Sequence, residues 1–186
     1  NIGKFENAFN DYQTVFKVIN PSNYGALGHM AILEIYHLNR PKSGHRNIKK
    51  AYRLSPADPM IVINYTNRLL IENKSDSARE ALLGVIDYAE EYPKIYYLLG
   101  KAYRGLKNKS FAIAQFEKSF EYGDDKLKYN SLIDLFELKF DMKTIYDEYR
   151  SKKNNQDFIL ILDSVIEQDS SCFLCYFLQE EAYRLL

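Results

Sequence analysis

Tryptophan is absent from this sequence of 186 residues, and cysteine and histidine are scarce, with two and three copies. Two cysteines cannot build a disulfide framework. Cys172 and Cys175 are separated by only two residues. A redox pair in that spacing needs its first thiolate at a helix N-terminus beside a strand, and no strand–helix–strand pattern surrounds them. A structural zinc needs two further ligands, and no second pair is present. They read as two small apolar residues packed in the last helix. His29, His37 and His45 are spaced wrongly to share a metal, and no glutamate-bearing metalloprotease motif accompanies them. A phosphate-cradling glycine loop and a Gly-x-Ser-x-Gly elbow are also missing. Glu90-Glu91 and Asp124-Asp125 fall at helix ends or turns, where carboxylates are solvated. With no nucleophile set beside a base, the chain is expected not to be an enzyme and to need no metal or cofactor.

Net charge is missing too: Lys+Arg and Asp+Glu both number 25. That excludes the general basic excess of a nucleic-acid binder. Long apolar runs are absent. The longest, Met60 to Ile63 and Phe158 to Leu162, fall far short of the roughly 20 residues of a membrane-spanning helix. Three Asn-x-Ser/Thr sequons begin at Asn64, Asn73 and Asn108. Asn64 falls inside an expected helix, so these are read as chance matches. What the chain has is 46% hydrophobic residues, 27% charged residues, 16 tyrosines and 11 phenylalanines. That suffices for a core and a charged surface, and it argues against disorder.

The apolar residues recur with an offset of 34. Pro59 and Pro93 are so related, as are Ala78 and Ala112, Leu82 and Phe116, and Leu69 and Tyr103. One offset earlier, Ala78 maps to Gly44 and Val85 to Ala51. Small residues keep falling where two helices would have to cross closely. The clearest unit is 93–126. Tyr96, Leu99, Gly100 and Tyr103 lie at i, i+3, i+4 and i+7, one face of a helix. Ala112, Phe116 and Ser119 form the stripe of a second helix after a turn at Lys107-Asn108-Lys109. Such a hairpin cannot bury its apolar stripe alone and must stack on neighbours.

The linked spacing of an aromatic, Leu-Gly, Tyr, Ala and Phe in 93–126 resembles the tetratricopeptide repeat. Tyr96 stands where that family often has Trp, and Asp124 where a closing proline is common. The resemblance implies an all-α fold, a right-handed α-α superhelix of about five helical hairpins over 1–186. The expected units are 23–58, 59–92 and 93–126. Segment 1–22 reads as the second helix of a further repeat (Lys4 to Asn20), and 127–186 as drifted repeats with the start of another. In the first unit, Asn39-Arg40-Pro41-Lys42 is the expected helix-breaking loop. In the drifted part, helices are expected over Lys126 to Lys139, Met142 to Lys152 and Asp157 to Gln168, with a polar break from Lys152 to Gln156. The half-repeat at the start points to a piece of a longer protein.

In this family the first helices of successive repeats line a concave groove that takes a peptide or a partner helix. Carried over position by position, the groove residues are His29, Leu33 and Tyr36; then Ile63, Asn64, Asn67 and Leu70; then Lys94, Tyr97, Lys101 and Arg104; and finally Lys128, Ser131 and Leu135. One subfamily clamps the C-terminal carboxylate of chaperones with Lys, Asn and Arg. Asn64 and Lys94 match two clamp positions, but His29, Leu33 and Leu98 stand where Lys, Asn and Arg are needed, so that ligand is disfavoured. The implied function is a protein-interaction scaffold with a protein or peptide partner, no nucleic acid and no membrane insertion. An assembly module that self-associates through exposed repeat ends is the alternative, and a regulatory domain of a larger enzyme is another. Charge is segregated along the chain. Arg40, Lys42, Arg46, Lys49, Lys50 and Arg53 form a stretch with no acid, as do Lys94, Lys101, Arg104, Lys107 and Lys109. The first reads as a solvated convex face. The second falls on the first helix of the clearest repeat.

Overall fold

The computed structural model describes residues 2–139 and, beyond them, Ile159, Asp163, Glu167, Tyr176 and Gln179. Helices α1 (Ile2–Thr14), α2 (Tyr24–Tyr36), α3 (Pro41–Leu54), α4 (Pro59–Ile71), α5 (Ser75–Leu83), α6 (Lys94–Gly105), α7 (Lys109–Tyr122) and α8 (Asp125–Lys139) follow one another, and no strand occurs among the described residues. The chain divides into two compact units, 1–118 and 119–186. Expectations for Met142 to Lys152, for the polar break after it and for Cys172 and Cys175 lie outside the described residues. Within 157–168, positions 159, 163 and 167 are helical.

Local chemistry sets the helix starts. Asn23 caps α2 by accepting the Ala26 N–H at 2.8 Å, and Asp58 caps α4 by accepting that of Ile61 at 3.0 Å. Pro59 and Pro41 each take the first turn of a helix, where a missing N–H costs nothing. Pro41 therefore opens α3, and Lys42 is already helical, so the expected loop is shorter than Asn39 to Lys42. Lys4 to Asn20 is also not one regular helix. After Thr14 the backbone widens into a π-helical turn, Val15–Ile19, closed by an Asn20 N–H bond to the Val15 carbonyl.

The first unit is held by close crossings at small residues. Gly44, Ala78 and Ala112, the three positions 34 apart, are all buried. A methyl group on Gly44 would stand 2.9 Å from the Ala31 carbonyl oxygen and 3.1 Å from Glu34 Cβ, so α2 and α3 touch there. Glu34, only 4% exposed, accepts hydrogen bonds from Ser43 Oγ at 2.5 Å and Asn47 Nδ2 at 2.7 Å, which satisfies its carboxylate inside the same crossing. In the α6–α7 hairpin, Gly100 lies against the Phe116 ring, and a methyl there would stand 2.6 Å from it. Thr66 takes the corresponding place in α4. It is fully buried, and its hydroxyl donates to the Val62 carbonyl of its own helix at 2.8 Å. Around these crossings Leu27, Met30, Ala31, Ile48, Ala51 and Ile61 form one apolar cluster. Val62, Leu82, Val85, Ile95, Leu98 and Leu99 belong to the next. In the second unit, the buried Ser131 donates to Ser119 Oγ at 2.9 Å.

A second periodic feature escapes the sequence. Asn39, Asn73 and Lys107, again 34 apart, have positive φ of 53°, 57° and 58°. Each lies in the turn after the first helix of its hairpin. At the last two, the following N–H reaches back five residues, Lys74 to the Leu69 carbonyl at 2.8 Å and Asn108 to the Tyr103 carbonyl at 2.9 Å. The first turn differs: Arg40 N–H bonds the Glu34 carbonyl at 2.7 Å. Asn tolerates this left-handed conformation, whereas Lys107 holds it at a cost.

Two outcomes follow from this packing. Gly100→Leu should lower stability by about 1–3 kcal/mol, because the Phe116 ring has nowhere to go. A variant that melts at or above the wild-type temperature would show that the crossing is loose. Lys107→Gly should raise stability by about 0.5–1 kcal/mol, with Asn73→Gly near neutral. Chemical denaturation of the three proteins checks this, and equal midpoints for Lys107→Gly and wild type would refute the strain.

Candidate functional site

In the first unit, α2, α4 and α6 lie side by side and leave a groove of about 460 Å³. Its walls are Tyr36 from α2, Asn67, Leu70 and Ile71 from α4, and Lys94, Tyr97, Leu98 and Lys101 from α6. The helical repeat explains the set. Asn67, Leu70 and Ile71 are at i, i+3 and i+4, and Lys94, Tyr97, Leu98 and Lys101 at i, i+3, i+4 and i+7, so each helix contributes one face. Tyr97 is the centre of the α6 wall. Lys94 Nζ lies 4.4 Å and Lys101 Nζ 5.4 Å from its ring centroid, and its ring leans on Phe116 with centroids 5.7 Å apart. Tyr36 and Ile71 are 62% and 73% exposed. Apolar side chains that open at the edge of a groove are available for contact.

Six of the residues expected from the sequence meet here: Tyr36, Asn67, Leu70, Lys94, Tyr97 and Lys101. The others do not line this groove. His29 is exposed but stacks on Tyr12 of α1 with centroids 4.8 Å apart. Leu33 packs against the cluster around Met30. Ile63 is 8% exposed and belongs to the core, because it points between α4 and its neighbours. Asn64 donates its amide to the Met60 carbonyl of its own helix at 2.8 Å. Arg104, half-buried on α6, falls outside the lining residues. In the second unit, Lys128 lies over the Phe120 ring at 5.9 Å, while Ser131 and Leu135 are buried at 0% and 7% exposure. Ile71 and Leu98 also line the groove without being expected from the sequence, although each sits four residues after an expected residue, Asn67 and Lys94. That spacing was the available signal.

On the far side of α4 lies a second, smaller cleft of about 320 Å³. Lys42, His45, Arg46 and Lys49 of α3 face Tyr65, Arg68 and Leu69 of α4, with Glu72 and Lys74 from the following turn. Glu72 is its only carboxylate. Arg68 pairs with it across one helical turn, and Lys74 Nζ reaches it at 2.7 Å. The hydrogen bond from Lys74 and the Arg68 charge hold the Glu72 carboxyl below the usual range. Partial burial and the Arg68 guanidinium push the His45 imidazole below its ordinary value, against the pull of Glu72. Tyr65 stacks on Tyr52 with centroids 4.2 Å apart, and burial raises the Tyr52 phenol.

Among the described residues, no group of three His, Cys, Asp or Glu side chains could hold a metal ion, and no helix is long and apolar enough to cross a membrane.

No protein-family model and no curated protein matches this sequence. Solved structures do match. A crystal structure of MamA is 17% identical, with a TM-score of 0.64 over 99% of this chain and 93% of that one. Pseudomonas aeruginosa PilF is 19% identical, with a TM-score of 0.65 over 95% of this chain and 83% of that one. MamA (41-end) from Desulfovibrio magneticus is 17% identical, with a TM-score of 0.59 over 98% and 87%. At these identities the likeness concerns the fold. The fold is an all-α helical repeat of the tetratricopeptide kind.

Proposed function

We propose that this chain is a protein-interaction scaffold whose groove across α2, α4 and α6 takes an extended peptide or a helix of a partner. The arrangement around Tyr97 carries the reading. An aromatic ring with two ammonium groups close to it, and Leu70, Ile71 and Tyr36 in the same groove, offers apolar area next to positive charge. That suits a segment with an acidic residue adjacent to an aliphatic or aromatic one. The cations mainly speed encounter and fix orientation, and the apolar side chains hold the complex. Asn67 supplies an amide for the backbone of the bound segment.

Favouring the assembly reading is one observation at α1 and the turn after it. Val18 and Ile19 in the π-helical turn are 76% and 72% exposed, and Ile2 is 68% exposed. Apolar side chains so placed suit the end of another repeat stack.

A random-peptide library selected on the protein tests the groove. Selected peptides should combine acidic and apolar residues. Lys101→Glu should weaken them and flatten their salt dependence, while Tyr36→Ala with Ile71→Ala should weaken them at any salt. The exposed positions of these last two leave the melting temperature nearly unchanged. Peptides that bind all of these variants like wild type would remove the groove as the site. Sedimentation tests the assembly reading: wild type should self-associate with rising concentration, and Val18→Asp with Ile19→Asp should not. A wild-type monomer at every concentration would dispose of it.

A further inference from the structure

The basic stretch of α3 is more than a solvated face. Lys42, Arg46 and Lys49 stand at i, i+4 and i+7, one stripe of the helix, and that stripe forms a wall of the 320 Å³ cleft. Facing it across the cleft are Arg68 on α4 and Lys74 in the turn after it. Five cationic side chains from three segments thus converge on one concavity with a single carboxylate. Glu72 is committed to Arg68 and Lys74. Lys42, Arg46 and Lys49 make no ion pair among the described residues. Like charges gathered in this way repel one another, and a bound anion relieves the repulsion.

We propose that this cleft binds a phosphomonoester carried on a small organic group. The charge favours a dianion over a monoanion, since one carboxylate would leave most of the cations uncompensated. Three terminal oxygens can accept from several donors at once, and Arg46 and Arg68 can each offer a planar pair. The remaining lining is His45, Tyr65 and Leu69, together with the aliphatic stems of the lysines. A flat or apolar organic part fits against them. The cleft is small, about 320 Å³, and the chain as a whole has no excess of cations. Both facts argue against a long polyanion, which needs a row of contacts along its backbone. The inference stands on this cleft alone and not on what fills the groove.

The His45 ring lies in the lining and serves as a local reporter. NMR of the 186-residue chain would follow its ring signals during titration with phenyl phosphate, inorganic phosphate and benzoate at about 0.1 M salt. Phenyl phosphate should move them saturably. Inorganic phosphate should do so more weakly, and benzoate should bind at least about tenfold more weakly than phenyl phosphate. Arg46→Glu with Lys49→Glu, both exposed positions, should weaken phenyl phosphate by about tenfold or more with the melting temperature retained. Lys101→Glu in the groove should leave this titration unchanged. No saturable shift, equal affinity for benzoate, or indifference to the Arg46 and Lys49 changes would overturn the proposal. Binding to vesicles containing phosphatidic acid without binding to phenyl phosphate would also overturn it, and would assign the cleft to a membrane surface.

Discussion

The close crossing of the two helices in each hairpin is the contact on which everything else rests. Gly44 occupies that crossing in the first hairpin, and Ala78 and Ala112, one and two periods on, are likewise buried and carry little side chain. Where both partners are small, backbones approach and the larger residues interdigitate around the contact, as Leu27, Met30 and Ile48 do in one hairpin and Leu82 and Val85 in the next. At Gly100 the approach is to a side chain instead, since the Phe116 ring uses the space that a side chain would take. With the second helices packed behind, α2, α4 and α6 are left side by side, and the groove is what remains between them.

Helix α4 is the shared wall of both clefts. Asn67, Leu70 and Ile71 face the groove, and Tyr65, Arg68 and Leu69, with Glu72 just past the helix end, face the basic cleft. The two faces differ in chemistry because they differ in neighbours. Toward α6 the charge is carried by two lysines around an aromatic ring, a mixed surface suited to a peptide. Toward α3 the cations outnumber the single carboxylate, and the apolar share is confined to Tyr65, Leu69 and lysine stems. A chain that is neutral overall can therefore hold concentrated positive charge locally, with its acids spent elsewhere, for example in the Asp76–Arg79 and Glu6–Arg40 pairs.

Much of this was legible in the sequence because helical faces and the 34-residue offset are both periodic. Tyr36, Asn67, Leu70, Lys94, Tyr97 and Lys101 could be placed together from spacing and resemblance. Ile63, Ser131 and Leu135 were misplaced because the same offset was carried over without regard to which neighbour each helix meets. Their side chains point into packing, whereas Tyr97, one period from both Ile63 and Ser131, lines the groove. The left-handed turns were hidden for another reason. Asn39 and Asn73 are of a type that tolerates this conformation, but Lys107 is not, so residue type marks only two of the three turns. The π-helical turn at Val15–Ile19 leaves no trace in apolar periodicity either. The basic cleft was half visible: the cations of α3 stood out, but that Arg68 and Lys74 come to face them is a matter of tertiary packing.

The left-handed residue at each hairpin turn also governs how such a chain can change in length. Between Asn39 and Asn73, and again between Asn73 and Lys107, lies one complete period of crossing, turn and stripe. Removing or duplicating a block of that size rejoins like to like, and each remaining helix meets the same kind of neighbour as before. Losing a single residue inside α3 or α4 does the opposite, swinging every later side chain of that helix off its face. For this architecture the natural quantum of insertion or deletion is the whole period, and the turns are the seams along which it can be cut.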